Sequence, residues 1–322
     1  MTLHMDRRSL LVSLAAGGAF AAMGGSVLAA PAKGFFARTG LPVGLQLYTL
    51  GEEPQKNLDA TLARVAAIGY REVELPQLYG KTPAEMRAAA DRAGLKLGSI
   101  HLALGSMAPP HGLSLNSDPQ RIADDLGVMG IRQAVLPIIP FPKDLRPRAG
   151  ESFQAAIARA LGEAGPDFWK RTATDLNEKA AGLKPHGISL GYHNHNVEFM
   201  TVGKGTGWDI LVRETDPALV HFEIDIGWVA AAGLDPVAFL RSLKGRARQL
   251  HVKDLKASTK VNTALQMDPA EVGSGKQDWA RILPAAYAAG VRHFYVEQEP
   301  PFAIPRMEAV EKSFAFLSML KA

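Results

Sequence analysis

A regular alternation of short apolar strands and longer helices constrains the fold of this chain more than any other feature. Helical segments rich in Ala, Leu, Arg and Glu repeatedly end in a glycine, and an apolar strand begins directly afterwards. Glycine suits the end of a helix because it adopts the left-handed conformation without steric penalty. The glycines at these junctions are Gly69, Gly94, Gly130, Gly187 and Gly290. A repeat of this kind needs crossover connections and therefore predicts a parallel sheet.

Eight segments have the composition of such strands, which is the number that closes a (β/α)8 barrel of roughly 250 residues or more. They are Val43–Tyr48, Glu72–Leu75, Lys96–His101, Gln133–Pro137, Ile188–His193, Val220–Asp225, Ala247–Val252 and His293–Gln298. An open doubly wound sheet is the alternative, but it normally has a glycine-rich phosphate-binding turn after its first strand. The segment Leu47–Gly51 is not such a turn. The sequence therefore predicts an α/β fold, a single-domain (β/α)8 TIM barrel over residues 41–322.

Composition excludes several classes of site and partner. The chain has 322 residues, of which 47% are hydrophobic and 21% charged, as in a globular protein with a large core. It has no cysteine, which excludes disulfides, thiolate catalysis and thiolate zinc sites. The formal charge is +4, and no basic run contains interleaved aromatic residues. We therefore expect no nucleic-acid partner.

Residues 1–30 have the features of an N-terminal export signal. Arg7 and Arg8 precede an apolar run rich in Ala and Gly, and Val27–Ala29 resembles a small-residue cleavage site. The paired arginines are typical of a twin-arginine signal. An ordinary secretory signal and a retained anchor are the alternatives, but the glycines between Gly17 and Gly25 make the run weakly hydrophobic. We therefore predict export to the periplasm, with no stable membrane anchor after cleavage.

The last four predicted strands end in side chains that can bind a metal ion. In a parallel barrel the C-terminal ends of the strands meet at one mouth, where active sites lie. Two imidazoles and two carboxylates suit Mn²⁺, Zn²⁺, Fe²⁺ or Co²⁺ better than Ca²⁺ or Mg²⁺. A single such side chain is more often a hydrogen-bonded rim residue, so the prediction depends on all four strands together. The predicted ligands are His193, Asp225, His251 and Glu297.

Neighbouring positions add further candidates. Side chains alternate along a strand, so residues two positions away share the same face. The additional residues on these faces and at the other strand ends are His195, Glu223, Lys253, Glu299, Gln46, Tyr48, Glu72, Glu74 and His101. The segments Ser106–Ser117 and Phe141–Asp167 are predicted as loops over the barrel mouth. The glycines of Glu271–Lys276 are those of a plain turn, with an anion-binding loop as the alternative.

Several motifs resemble those of the xylose-isomerase-like sugar (phosphate) isomerase/epimerase superfamily. The resemblance covers most of the chain from about residue 41 onward. It implies a barrel with one divalent metal ion and ketose or keto-sugar substrates. The matching segments are Tyr192–His195 with Glu198–Phe199, Asp225–Trp228, His251–Asp254, Glu297–Pro300, Gly44–Leu50 and Gly69–Leu75.

One position departs from the pattern of the family. Its epimerases and isomerases usually have Glu at the fifth-strand ligand position, whereas this chain has His193, as in the branch that resembles inosose dehydratase. Epimerisation removes a proton from one face and returns it on the other, which two opposed carboxylates do well. Loss of one carboxylate leaves room for β-elimination or hydration of a keto-sugar.

The strand-end chemistry and the resemblance together predict a divalent-metal-dependent sugar isomerase or epimerase. It would abstract the proton α to a carbonyl and pass through an enediolate. The alternatives are a keto-glycoside lyase or dehydratase, and a periplasmic sugar-binding barrel without catalysis. The predicted catalytic residues are Glu297, Glu299, Lys253, His195 and Glu74, and the predicted substrate-binding residues are His101, Gln46, Tyr48, Asn194 and Trp228.

The expected partner is a small sugar or keto-glycoside. The sequence leaves open which of Mn²⁺, Zn²⁺, Co²⁺, Fe²⁺ and Mg²⁺ is bound, and whether the chain forms a homo-oligomer.

Overall fold

The computed structural model describes residues 33–105, 112–142, 145–243 and 245–322. The predicted export signal, residues 1–30, lies outside the described residues, so the signal and the periplasmic location stay predictions. Within the described ranges, no helix is both long enough and apolar enough to cross a membrane.

Eight parallel strands close into one barrel, as predicted. Each strand pairs with its neighbours in the sequence, and the last pairs with the first. The strands are β1 Gly44–Gln46, β2 Glu72–Leu75, β3 Lys96–His101, β4 Gln133–Leu136, β5 Ser189–His193, β6 Val220–Asp225, β7 Ala247–Val252 and β8 His293–Val296. Two short antiparallel pairs lie outside the barrel, Thr201–Val202 with Gly205–Thr206 and Asp254–Leu255 with Pro269–Ala270.

Helices surround the barrel. They are α1 Phe35–Thr39, α2 Glu53–Lys56, α3 Leu58–Ile68, α4 Pro83–Ala93, α5 Pro119–Met129, α6 Phe153–Leu183, α7 Gly207–Glu214, α8 Ile226–Ala231, α9 Pro236–Ser242, α10 Trp279–Ala289 and α11 Arg306–Met319. The glycines predicted to end helices do so, and four of the five have φ between 69° and 114°: Gly94, Gly130, Gly187 and Gly290. At the fifth, Gly69, φ is 128°.

The structure differs from the sequence predictions in several local features. The first strand is shorter than predicted because residues Leu47–Leu50 turn into a 3₁₀ helix, whose start is capped by the Gln46 side chain accepting from the Tyr48 amide. Helix α1 was not predicted; it packs Phe35 edge-on against Phe294, with ring centroids 5.7 Å apart. The predicted loop Phe141–Asp167 is helical from Phe153 onward.

Helix α6 occupies the second half of the segment that was predicted as a loop. Ser152 caps its start by accepting a hydrogen bond from the Ala155 amide. Gly165, with φ 66°, and Pro166 interrupt the helix, which continues beyond them to Leu183. A Gly-Pro pair ordinarily ends a helix, but α6 continues beyond this one.

The barrel interior is polar, although such interiors are mostly filled by branched apolar side chains. His293 Nδ1 lies 3.0 Å from a Glu72 carboxylate oxygen, at the N-terminal end of the barrel. One layer higher, His221 Nε2 lies 3.0 Å from Gln249 Oε1, and Gln249 Nε2 donates to Glu223 Oε1 at 3.0 Å. This buried network supports the strand ends from below.

A close approach inside the barrel makes one glycine necessary. A Cβ atom at Gly191 on β5 would lie 2.6 Å from His221 Nε2, and that ring is held by Gln249. Overpacking of this kind typically costs about 1–3 kcal/mol, so we expect Gly191→Ala to lower the free energy of unfolding by that amount.

The matched control is Gly127→Ala on the exposed side of α5, where a Cβ meets nothing within 4 Å. It should raise stability by about 0.5–1 kcal/mol because alanine is the better helix former. Urea denaturation of both variants measures the difference. Equal stability of Gly191→Ala and the unaltered chain would contradict the packing.

Candidate metal centre

Four predicted side chains converge at the C-terminal end of the barrel. Each offers one ligand atom, and all four atoms lie within 4.8 Å of one another. The residues stand at or just beyond the ends of β5 to β8, and all are buried: His193, Asp225, His251 and Glu297. We call this set the upper group.

The distances within the upper group show which atoms face one another. His251 Nδ1 lies 2.8 Å from Glu297 Oε2 and 3.6 Å from Asp225 Oδ2. His193 Nε2 lies 3.5 Å from the same Asp225 oxygen. Asp225 Oδ2 therefore stands between the two imidazoles.

Asp225 is held in this orientation by the backbone on both sides. Its other oxygen, Oδ1, accepts a hydrogen bond from the Trp228 amide at the start of α8. Its own amide donates to Asn194 Oδ1 at 3.0 Å, which joins the ends of β5 and β6. A carboxylate at a helix N-cap has one oxygen engaged with the backbone, so the second remains available.

The polar atoms of the upper group fit a bound cation. Among the described residues, both ring nitrogens of His193 are buried without a correctly oriented hydrogen-bond partner, and Asp225 Oδ2 has a close ionic contact with Lys253 in place of one. Buried polar atoms ordinarily have such partners. Two imidazoles with two carboxylates form a mixed nitrogen and oxygen donor set, which suits a divalent transition metal.

A buried lysine adds a positive charge beside the upper group. Lys253 Nζ lies 2.7 Å from Asp225 Oδ2, 2.8 Å from Glu297 Oε2 and 2.7 Å from Glu299 Oε1. Burial alone would lower the pKa of Lys253, but the three carboxylates raise it well above its usual value. Burial acts in the opposite direction on Asp225, where Lys253 and His193 hold the pKa well below its usual range. These groups therefore remain charged.

A lower group of polar side chains lies beneath the ligands. His101 and Glu223 form a second possible ligand group with His193 and His251, and Glu223 Oε2 lies 3.4 Å from His193 Nδ1 and 3.3 Å from His251 Nε2. Glu74 Oε2 lies 2.7 Å from His251 Nε2, so that nitrogen is engaged and Nδ1 is left for the upper group. A carboxylate behind a ligating histidine fixes both its tautomer and its orientation.

His101 joins the two carboxylates of the lower group. Its Nε2 lies 3.0 Å from Glu223 Oε2 and 3.4 Å from Glu74 Oε2. Burial alone would lower the pKa of His101, but Glu74 and Glu223 raise it to about 9. A protonated His101 thus balances part of the buried negative charge.

Three of the predicted catalytic and substrate-binding residues are fully engaged in hydrogen bonds inside the barrel. Gln46 Nε2 donates to Glu74 Oε2 at 2.9 Å, and its Oε1 accepts from the Tyr48 amide. Asn194 donates to the His195 carbonyl and accepts from the Asp225 amide. Gln46, Glu74 and Asn194 are fully buried. These contacts hold neighbouring groups in place, while the proton transfer predicted for Glu74 and the substrate binding predicted for Gln46 and Asn194 stay predictions.

The other predicted residues lie around the upper group. The Glu299 side chain is 26% exposed and that of His101 9%. The His195 ring stacks on His193 with centroids 4.9 Å apart, and the Trp228 ring lies 5.3 Å from His195. His195 Nδ1 and Trp228 Nε1 have no hydrogen-bond partner among the described residues.

Tyr48 stands at the rim. About half of this residue is exposed. Partial burial raises the pKa of its hydroxyl, and the carboxylates of Glu299 and Glu297 add to the effect. Its hydroxyl therefore stays protonated and is able to donate a hydrogen bond to a ligand.

Sequence reasoning missed the residue that anchors the loop after β7. Asp254 accepts hydrogen bonds from the amides of Gly273 and Gly275 and from Trp279 Nε1. A Cβ at Gly275 would collide with the Asp254 carboxylate, which explains the glycine. The amides of Glu271–Lys276 thus hold an anion that belongs to the chain itself. The signal in the sequence was Asp254 itself, an acidic residue directly after Lys253 in the matched segment His251–Asp254.

A second missed residue is Glu198, which belonged to a matched motif but was given no role. Its carboxyl group accepts from Tyr192 Oη at 2.5 Å and from the His195 amide at 2.9 Å. These bonds fix the turn that carries His193 and His195. Burial raises the pKa of Glu198 to about 7, although both hydrogen bonds act to lower it.

The raised pKa of Glu198 predicts a pH dependence of stability. In the unfolded chain a Glu ionises near pH 4.3, so the folded chain binds the extra proton between that pH and about 7. The contribution of Glu198 to stability should therefore fall by roughly 3 kcal/mol as pH rises from about 4 to 8. Glu198→Gln should remove this component, whereas Glu308→Gln, on the exposed face of α11, should keep it. Urea denaturation at a series of pH values measures it, and parallel curves for both variants would refute the assignment.

The chain is similar in sequence and in fold to several known proteins. An inosose dehydratase from Geobacillus kaustophilus is 24% identical over 208 residues, which are 62% of this chain and 62% of that protein. The match thus spans less than two thirds of the relative. A sugar phosphate isomerase/epimerase from Parabacteroides distasonis has a TM-score of 0.67 at 26% identity, covering 87% of this chain and 94% of that one.

A structure of the IolI protein with a bound zinc atom shares the fold. Its TM-score is 0.58 at 14% identity, and the match covers 87% of this chain and 98% of that chain. The model of the family described as xylose isomerase-like TIM barrel matches residues 62–320. This match covers most of the chain and agrees with the closed barrel and the residues at its mouth. The chain therefore belongs to the xylose isomerase-like TIM barrel family.

Proposed function

We propose that this chain is a divalent-cation-dependent enzyme that removes a proton from the carbon next to the carbonyl of a keto-sugar. The observation that carries the proposal is the convergence of the upper group at the barrel mouth. The names of the dehydratase and isomerase/epimerase relatives support the substrate class, and the zinc of the IolI protein supports a cation.

His193, Asp225, His251 and Glu297 would hold the cation. When bound, it would supply Lewis acidity that polarises a substrate carbonyl. The Lys253 ammonium would stabilise negative charge that develops on the substrate oxygen.

The proton would pass to a side chain at the mouth. Glu299 is partly exposed, and His195 Nδ1 has no partner among the described residues, so both are placed to accept it. Trp228 Nε1–H and the Tyr48 hydroxyl would bind substrate hydroxyl groups. Glu299 contacts Lys253 directly, and His195 lies beside Trp228, whose ring faces the same ammonium group. The two proton acceptors would therefore lie near the charge that stabilises the substrate oxygen.

The arrangement of carboxylates favours β-elimination, as in a dehydratase or keto-glycoside lyase, over epimerisation. Asp225, Glu297 and Glu299 all belong to the β6 and β8 side of the mouth. On the opposite side the strands end in His101, Leu136 and His193, and Glu74 lies below the ligands. These strand ends offer no second carboxylate to return a proton on the other face. An isomerase or epimerase is the second candidate, supported by the Parabacteroides structure.

Proton exchange with solvent tests the proposed reaction. The protein is incubated with Mn²⁺ and a panel of 2-keto and 3-keto sugars in D₂O and followed by NMR. We expect the signal of the proton next to the carbonyl to disappear, together with ultraviolet absorption from a conjugated elimination product. Deuterium incorporation without that absorption would indicate an isomerase or epimerase. Binding of a sugar with no exchange would contradict an enzyme and favour a binding protein.

The matched variants for this assay are Asp225→Asn and Asp125→Asn. Loss of the Asp225 carboxylate should slow exchange at least about 100-fold, since it removes a ligand of the cation. Asp125 lies on α5, and its carboxylate faces Arg121 on the outer surface, so its loss should have no effect. An Asp225→Asn variant with full exchange would refute the site.

Removal of the carboxylate behind His251 should weaken cation binding. Glu74→Gln replaces the hydrogen-bond acceptor of His251 Nε2, and losses of this kind typically reduce metal affinity by about 10–100-fold. Glu72→Gln is the control because Glu72 lies lower on the same strand and pairs with His293 and Lys96. Titration of each variant with Mn²⁺ measures the affinity. Unchanged affinity of Glu74→Gln would exclude the orienting role.

A further inference from the structure

The ammonium group of Lys253 lies against the same oxygen atoms that face the ligand imidazoles. It contacts Asp225 Oδ2 at 2.7 Å and Glu297 Oε2 at 2.8 Å. Those two oxygens are also the ones that approach His251 Nδ1, at 3.6 and 2.8 Å. A cation held by the upper group would therefore have to share both oxygens with a buried positive charge.

We propose that Lys253 competes with the divalent cation for Asp225 and Glu297, and that Glu299 receives the ammonium group when the cation binds. The Lys253–Glu299 pair would then set the metal affinity of the site and place Lys253 for the substrate. This inference rests on the cation site of the proposed function.

Glu299 has the properties required of the receiving group. Its Oε1 already lies 2.7 Å from Lys253 Nζ, so only the other two contacts have to lengthen. It does not belong to the upper group, whereas the other two carboxylates do. It is also the most exposed of the three, which leaves its side chain free to follow the ammonium group.

Packing restricts the movement to the end of the lysine side chain. The aliphatic part lies against Gly227, where a Cβ atom would come within 2.8 Å of Lys253 Cγ and Cδ. The ammonium group lies 5.1 Å from the centre of the Trp228 ring, which favours a cation at its face. The aliphatic part of Lys253 is therefore fixed, while the ammonium group can move between the carboxylates that surround it.

The balance of charge makes both arrangements accessible. Three carboxylates surround one ammonium group, so the site has more negative charge than Lys253 alone can neutralise. Lys253 therefore has no need to leave the site when the cation binds. Removal of either positive charge would leave buried carboxylates uncompensated, which is costly.

Titration with Mn²⁺ by calorimetry tests the competition. Lys253→Met should bind Mn²⁺ about tenfold or more tightly than the unaltered chain, because a competing charge is removed. Glu299→Gln should bind it several-fold more weakly, because Lys253 then has only the two ligand carboxylates. In the double variant the Glu299→Gln change should have little further effect, since no ammonium group remains to be received.

The double variant distinguishes two explanations of the Glu299 effect: acceptance of the Lys253 ammonium group, and direct attraction between the Glu299 charge and the cation. If Glu299 acted only as a distant negative charge, its loss would weaken binding equally with and without Lys253, and the inference would be overturned. Unchanged or weaker binding by Lys253→Met would also overturn it. Absence of Mn²⁺ binding by the unaltered chain would overturn the cation site itself, which is a distinguishable result.

Crystal structures with and without Mn²⁺ provide a readout that does not depend on folding of Lys253→Met. The inference expects the Lys253–Asp225 and Lys253–Glu297 distances to lengthen beyond hydrogen-bond range with Mn²⁺ bound, while Lys253 stays on Glu299. Unchanged contacts to all three carboxylates in the Mn²⁺-bound crystal would overturn it.

Discussion

Burial of carboxylates at the C-terminal end of the barrel is the constraint on which the rest of the structure depends. Asp225, Glu223 and Glu74 are fully buried and Glu297 nearly so. A buried charge is costly unless it is paired and hydrogen-bonded. The imidazoles and the ammonium group of Lys253 pair with these carboxylates, and the polar layers below hydrogen-bond them. These polar side chains take the place of the apolar ones that usually fill a barrel.

The upper group and the lower group make different contacts with the same imidazoles. The upper group presents ligand atoms to the mouth, and the lower group engages the opposite nitrogens of the same imidazoles. His251 illustrates the coupling, because Glu74 holds Nε2 while Nδ1 faces Glu297. The orientation of His251 on β7 is therefore set by a carboxylate on β2, with strands β8 and β1 lying between them in the barrel.

The fold and the convergence of the four side chains could be predicted because they depend on local periodicity and on strand order. Depth inside the barrel could not, because it depends on the stagger between strands. Glu74 and Glu297 are both carboxylates at strand ends, yet one lies below the ligands and the other among them. The strands also shift register at Val73/Glu74 and at Phe222/Glu223, and nothing in the amino-acid pattern marks these shifts.

The position of a bound cation tests the central claim most directly. Crystals of the protein grown with Mn²⁺ would be measured at the manganese absorption edge, where anomalous scattering locates the ion independently of the protein. The account predicts one peak among His193, Asp225, His251 and Glu297, within direct bonding distance of all four. A peak confined to His101 and Glu223 in the lower group, or no peak at the barrel mouth, would contradict it.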